Sequence, residues 1–327
     1  MKIETKAVKY LEEKKKLIVL IGPTAVGKTN LSIKLAHRFN CEVISGDSMQ
    51  IYRKMDIGTA KIHIDEMDGI KHHLIDIKDP DESFSAAEFQ QLVREKIEEI
   101  HFRGRTPMIV GGTGLYIQSV LYDYQFTEAP GDDLFRKQLE HKAEVEGYLV
   151  LHNELKGIDP TSADNIHPNN VRRVIRALEI YHTTGKTMSE YQSRQKAELL
   201  YDVALIGLTM ERDRLYERIN QRVELMVSNG LIEEVCSLYE SGLRDVQSIQ
   251  AIGYKELYEY FNGKATLEDA IENLKQNSRR YAKRQLTWFR NKMDVNWFDM
   301  TDEESRQKNF HGISDFIAGK LALKSNK

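Results

Sequence analysis

The stretch of this chain richest in reactive chemistry is GPTAVGKT at 22–29, which follows the apolar run LIVLIG and leads into the amphipathic NLSIKLAHRF. Glycines spaced as Gly22 and Gly27 let backbone N–H groups close round phosphate oxygens. The following helix N-terminus adds positive potential, Lys28 supplies a point charge, and the Thr29 hydroxyl suits Mg²⁺. A chance match to the four fixed positions in a chain this long has odds of roughly one in a hundred. A phosphate loop specifies a di- or triphosphate, not a reaction. The residues alone leave an ATP-dependent small-molecule kinase as the chief competitor.

Two further stretches carry groups that act beside a phosphate. EVIS at 42–45 leads into Gly46, Asp47, Ser48, Met49 and Gln50. Asp47 therefore falls at the carboxyl end of a predicted strand, the edge along which open α/β sheets bind ligands. There it suits Mg²⁺ ligation or general-base work on a nucleophile, with a turn-stabilising role as the plainer alternative. GGTGLY at 111–116 follows another such run. Its glycines permit close backbone approach, and Thr113 offers a hydroxyl to a phosphate or a substrate amine. Loop geometry alone would also account for it.

Such loops need a sheet to hold them. Beta-rich runs at 17–22, 42–45, 73–77 (HLIDI) and 107–112 (PMIVGG) alternate with helical patterns, and ALIGLTM at 204–210 returns as a further strand. This alternation predicts an α/β fold, a P-loop NTPase-like parallel sheet flanked by helices. The core spans 1–124 and 198–327 and ends in a helical C-terminal region, while 125–197, charged and helical in pattern, forms an all-helical insertion domain. With 327 residues, 41% hydrophobic and 30% charged, the chain has an ordinary globular composition, which excludes disorder. Cys41 and Cys236 lie far apart with no histidine pair at ligand spacing, which counts against zinc and disulfides. The charged opening residues lack a signal peptide's apolar stretch, and the run at 17–21 is too short to span a bilayer. A cytoplasmic protein without a membrane partner is expected.

A formal net charge of −3, from 47 Lys and Arg against 50 Asp and Glu, argues against a nucleic-acid partner when read over the whole chain. Its distribution argues the other way. NSRRYAKRQLTWFRNK at 277–292 holds six Lys or Arg and no acid. On a helix Arg279, Lys283 and Arg290 fall within about a 40° arc that Leu286 shares, with Arg280 and Arg284 one step round and Tyr281, Trp288 and Phe289 interleaved. Arg214, Arg218 and Arg222 form an i, i+4 stripe beside Leu215, Ile219, Val223 and Met226. In the insertion, Val171, Val174, Ile175 and Leu178 share a face from which Arg172 and Arg176 point away. Cations interleaved with aromatics suit an RNA backbone and unstacked bases, the alternative being solvated helices that cover a core.

Taken in order, GPTAVGKT, SGDSMQIYRKMDIGTAK at 45–61, HHLIDI at 72–77, GGTGLYI at 111–117, NNVRRVIRALE at 169–179, QAIGYKEL at 250–257 and KRQLTWFRN at 283–291 resemble the tRNA dimethylallyltransferase (isopentenyltransferase) family in its bacterial form. The resemblance implies transfer of the dimethylallyl group of dimethylallyl diphosphate to the exocyclic N6 amine of the adenosine immediately 3′ of the anticodon, position 37, in tRNAs reading codons that begin with U, with release of diphosphate. It implies that Gly22, Thr24, Ala25, Val26, Gly27, Lys28 and Thr29 hold the diphosphate with Mg²⁺, Thr29 being the metal ligand. It implies Asp47 as general base, joined in the catalytic machinery by Thr113, Lys28 and a diphosphate-neutralising Arg218. It also implies that Asp47, Ser48, Met49, Gln50, Thr113, Arg172, Arg173, Arg176, Gln250, Gly253, Lys255, Lys283, Arg284, Gln285, Trp288 and Arg290 contact the tRNA anticodon loop. A monomer acting on a flipped-out adenine is the resulting expectation. Prenylation of free adenine nucleotides is the rival within the same chemistry; a P-loop RNA-binding protein without catalysis is the rival outside it.

Overall fold

The computed structural model describes residues 14–126, 131–193, 195, 198–324 and 326. Most of the charged opening segment, 1–13, lies outside the described residues, as does part of each predicted insertion boundary, 127–130 and 196–197. The chain divides into two compact units, one formed by Met1–Leu121 with Leu199–Lys327, the other by Tyr122–Glu198.

The first unit is built on six strands: β1 (Lys16–Ile21), β2 (Cys41–Gly46), β3 (His72–His73), β4 (Thr106–Gly111), β5 (Asp202–Thr209) and β6 (Asn296–Asp299). They form one sheet of order β3-β2-β4-β1-β5-β6 in which every pairing is parallel. Strands buried on both faces read as continuous apolar runs. Central β1 does so, with Leu17, Ile18, Val19, Leu20 and Ile21 all fully buried. In chain order the helices are α1 (Lys28–Phe39), α2 (Ala86–Phe102) and α3 (Gly114–Leu121); then α4 (Asp133–Glu146), α5 (Tyr148–Ile158), α6 (Pro160–Asn165), α7 (Val171–Thr184) and α8 (Met188–Ser193) of the second unit; then α9 (Arg212–Ser228), α10 (Leu231–Glu240), α11 (Tyr254–Phe261), α12 (Leu267–Lys292) and α13 (Glu303–Leu321). Leu31 and Leu35 of α1, Leu215 and Ile219 of α9, Ala282 of α12 and Ile313 and Ile317 of α13 pack with Ile18, Leu20 and Ile206 in one core. No helix among the described residues is long and apolar enough to cross a membrane.

The long helix α12 is set by its ends. The Thr266 side chain accepts the Asp269 N–H, Glu268 and Asp269 occupy the first turn, and Arg290 and Lys292 the last, so cap and charges both oppose the helix dipole.

Two strand expectations need correction. HLIDI is a strand only at its start. After His73 the backbone turns left-handed at Leu74 (φ 60°) and Asp76 (φ 56°), and Asp76 and Ile77 donate instead to the Gln50 and Ile51 carbonyls. The chain leaves the sheet to brace the loop that follows β2. Conversely, NWFD at 296–299 forms the edge strand β6, four residues too short to stand out beside the helical patterns around them.

The second unit is helical through α4–α8. Leu139, Leu151, Leu155, Val174, Ile175 and Leu178 form its core. Its charged centre is Glu179, 0% exposed, which accepts the Asp132 N–H and pairs with Arg136 at 2.7 Å and Arg176 at 2.5 Å. Arg176 therefore turns back on its own helix to pair with Glu179, while Arg172 and Arg173 are exposed. Removing one partner of a buried ion pair strands the others. Glu179→Ala should thus destabilise this unit by about 3–5 kcal/mol, read as faster hydrogen exchange through α4 and α7. A loss under about 1 kcal/mol would mean that water replaces the carboxylate.

Candidate active site

Three loops leave the carboxyl ends of β1, β2 and β4. In the first, Ala25 and Gly27 take left-handed backbone (φ 65° and 104°), a conformation that turns successive N–H groups toward one point. Thr24, Ala25, Gly27, Lys28 and Thr29 line a cavity of about 450 Å³ with Arg218 and Arg222 of α9. Val26 is buried and packs against Gly22, so it supports the loop from behind. Lys28 Nζ donates to the Gly22 and Pro23 carbonyls at 2.9 and 2.8 Å. Burial and the neighbouring Arg222 charge push its ammonium down to about 7, against a smaller opposing pull from Asp47. Arg218 Nε donates to the Ala25 carbonyl at 2.9 Å.

In the second loop Asp47 lines an adjoining cavity of about 310 Å³ with Ser48, Met49, Gln250, Lys255, Tyr281 and Arg284. Thr24 and Arg222 line both cavities. Asp47 Oδ1 accepts the Met49 N–H at 2.8 Å, so the turn-stabilising role is real and engages one of its oxygens. In the third loop Thr113 Oγ1 accepts the Ser48 N–H at 3.3 Å, tying the β4 loop to the β2 loop.

Of the remaining residues expected at the site, Gln50 and Gln285 also line the phosphate-loop cavity, and the others scatter. Gln50 is occupied internally, its amide donating to the Thr59 and Ala60 carbonyls and accepting from Ser45. Gly253 is a buried helix cap whose N–H bonds Glu256. Lys283 and Arg290 line a different cavity, with Thr209, Tyr216 and Leu286. Gln285 is 6% exposed, and Trp288 covers Gly114. Arg172, Arg173 and Arg176 belong to the other unit.

Sequence reasoning misses two groups inside the site. Arg222 faces Lys28 and Asp47, and its i+4 spacing from Arg218 is the signal that could have found it. Burial and the Asp47 charge push the Tyr281 phenol up to about 12, keeping it a neutral donor. It also misses the brace. Glu234 accepts the N–H groups of Asp56, Ile57 and Gly58 at 2.7–3.0 Å and the Tyr254 hydroxyl at 2.6 Å. That brace fixes the loop whose Gly58 and Thr59 line the Asp47 cavity. Among the described residues no three His, Cys, Asp or Glu side chains converge on a metal position.

A phosphate loop that opens past an arginine onto an acid and a neutral phenol defines a P-loop α/β enzyme that brings a phosphorylated donor to a second reactant. A family model, IPP transferase, matches residues 50–292, and the chain belongs to that family. It is 65% identical over 310 residues to the tRNA dimethylallyltransferase of Bacillus subtilis (strain 168), covering 95% of this chain and 99% of that protein. It is 64% identical over 311 residues to that of Anoxybacillus flavithermus, with the same coverage. Among solved structures, the tRNA isopentenylpyrophosphate transferase of Bacillus halodurans matches with TM-score 0.72 at 57% identity, over 94% of this chain and 97% of that one. A eukaryotic dimethylallyltransferase described as acting on tRNA matches with TM-score 0.77 at 37% identity, over 93% and 80%. These relatives do not favour the kinase alternative.

The lowered Lys28 has a measurable consequence. A bound diphosphate favours the charged ammonium, so its pKa rises on binding and a proton is taken up above about pH 7. Affinity for a diphosphate monoester should hold below that pH and weaken as pH rises through it. Calorimetry in buffers of different ionisation enthalpy should read the uptake at pH 8, and Lys28→Arg should abolish it. No uptake by the unmodified chain would contradict this account of Lys28.

Proposed function

We infer that this chain transfers the dimethylallyl group of dimethylallyl diphosphate to the N6 amine of the adenosine immediately 3′ of the anticodon in tRNAs reading codons that begin with U, releasing diphosphate. The observation that carries the reading is the meeting of two cavities at Thr24 and Arg222, with the phosphate loop on one side and Asp47 on the other. It gives a donor and an acceptor separate approaches to one point.

The chemistry fits the residues. An allylic carbon leaves diphosphate readily once the departing charge is stabilised, and the loop amides with Lys28, Arg218 and Arg222 are the groups placed for it. The adenine amine is a weak nucleophile because its lone pair is delocalised into the ring. A carboxylate at Asp47 would take its proton as the C–N bond forms, through the oxygen that Met49 leaves free. Thr113, held to Ser48 and close to Tyr281, would orient the amine. Mg²⁺ commonly binds through substrate phosphates, waters and one or two protein oxygens. The Thr29 hydroxyl in the phosphate cavity, with Asp47 in the adjoining one, fits that pattern without a three-acid cluster. When bound, the ion would supply further neutralisation of the leaving diphosphate.

The acceptor base would leave its stack to enter the Asp47 cavity. Ser48, Met49, Gln250, Lys255 and Arg284 line that cavity and are the nearest candidates for reading it. Arg172 and Arg173 of the insertion, with Lys283 and Arg290 on the exposed side of α12, are placed by this reading on the RNA backbone. A tRNA substrate fits the cytoplasmic location expected from the sequence.

Incubation with unmodified tRNA, dimethylallyl diphosphate and Mg²⁺ should yield a prenylated adenosine detectable by mass spectrometry of the nucleosides, with free AMP left unmodified alongside. Prenylated AMP with untouched tRNA would reassign the acceptor. Asp47→Ala should reduce turnover at least about a hundredfold while tRNA affinity holds within a few-fold; weakened tRNA binding with normal turnover at saturation would make Asp47 a contact residue.

A further inference from the structure

Gln285 lies on the buried side of α12, and its side-chain amide makes two bonds to different loops. Oε1 accepts the Thr24 N–H at 3.0 Å, and Nε2 donates to the Gly112 carbonyl at 3.0 Å. Thr24 belongs to the phosphate loop and Gly112 to the loop that carries Thr113.

Its neighbours on the same helix face complete the fit. At helical spacing 281, 285 and 288 share one side. Tyr281 stands against Thr113, and the Trp288 indole occupies the space over Gly114. A Cβ on Gly112 would lie 2.1 Å from Gln285 Nε2, and one on Gly114 would lie 2.2 Å from the Trp288 ring. The three consecutive residues 112, 113 and 114 are thus each met by one side chain of α12. Gly114 leaves no room for a side chain under the Trp288 ring, and a side chain at Gly112 would displace the Gln285 amide.

We propose that Gln285 is a positioning residue that fixes the phosphate loop to the acceptor loop, so that the departing diphosphate and the Asp47 and Thr113 side chains keep one mutual geometry. It acts through Thr24 and Gly112, from the wall of the phosphate-loop cavity that it helps to line. A primary amide suits the place because it accepts and donates at one end of one side chain; a carboxylate only accepts, and a thioether does neither well. The opposite side of α12 exposes Lys283 and Arg290, so the helix that holds the two loops together is also one that this reading places against RNA. The inference rests on the proposed transfer reaction for its kinetic consequence and on the hydrogen bonds alone for its structural one.

The test compares Gln285→Met and Gln285→Glu with the unmodified chain, using tRNA and dimethylallyl diphosphate and confirming the fold by circular dichroism. Misplacement of reacting groups by about 1 Å costs on the order of a hundredfold in rate. In Gln285→Met, kcat should fall about ten- to a hundredfold with tRNA affinity within about threefold, the signature of lost alignment rather than lost binding. Hydrogen exchange should accelerate together at 22–29 and 111–115 in Gln285→Met, and chiefly at 111–115 in Gln285→Glu, which keeps the acceptor for Thr24. If Gln285→Met fails to fold, Gln285→Glu carries the same comparison. A folded variant with wild-type kcat and wild-type exchange overturns the proposal. So does a loss confined to tRNA affinity, which would make Gln285 an RNA contact. If the unmodified chain itself leaves tRNA unprenylated, the function reading fails, and the exchange measurement still decides whether Gln285 joins the loops.

Discussion

Parallel pairing in register makes this site possible. Ile21 of β1 and Gly46 of β2 both pair with Gly111 of β4, so the three strands finish level and their loops emerge side by side. One loop has the backbone and cations suited to phosphate, one presents Asp47 and one presents Thr113. Because successive side chains of a strand alternate faces, a slip of one residue in either pairing would shift one loop along the sheet edge and reverse its side chains. The apolar run of β1 and its full burial hold that register, and the Thr113 to Ser48 bond and the α12 face consolidate it on the loop side.

Electrostatics then decides what the site holds. Lys28, Arg218 and Arg222 converge on one cavity with Asp47 as the near counter-charge. Without a ligand the Lys28 ammonium leans on two backbone carbonyls and gives up part of its charge through burial and repulsion. A diphosphate relieves that repulsion and gains preorganised amides. Such an arrangement stabilises a leaving group most where charge develops, which suits cleavage of an allylic C–O bond. Asp47 and Tyr281 line the cavity on the other side of Arg222 from the phosphate loop, so a nucleophile there would be served from the other side.

Much of this was legible in the sequence wherever local chemistry forces a structure. The phosphate loop, Asp47 after a strand, the glycine-threonine loop and the parallel sheet all follow from residue type and spacing. Residues that act through packing across the fold stayed hidden. Gln285 and Trp288 lie in a basic segment that the family resemblance assigns to RNA contact, yet Gln285 is buried and Trp288 half-buried over Gly114, and only tertiary structure says which side of an amphipathic, cation-rich helix meets the core. Glu234 was invisible for a related reason: an acid on a helix looks solvated until three backbone N–H groups from a distant loop converge on it. Arg176 looked free beside Arg172, but the i+3 acid Glu179 claims it. The strand at 73–77 failed because Leu74 and Asp76 take left-handed backbone, a choice set by the loop they brace and not by their own propensities.

The central claim is that an allylic diphosphate sits with its phosphates on the loop from Thr24 to Thr29 and its reactive carbon turned past Arg222 toward Asp47. A crystal structure with the unreactive thio-analogue of dimethylallyl diphosphate tests it most directly. The account predicts diphosphate oxygens on the loop amides and Lys28, with the carbon bearing sulfur directed into the Asp47 cavity. Diphosphate bound away from that loop, or a prenyl chain directed away from Asp47, would contradict it.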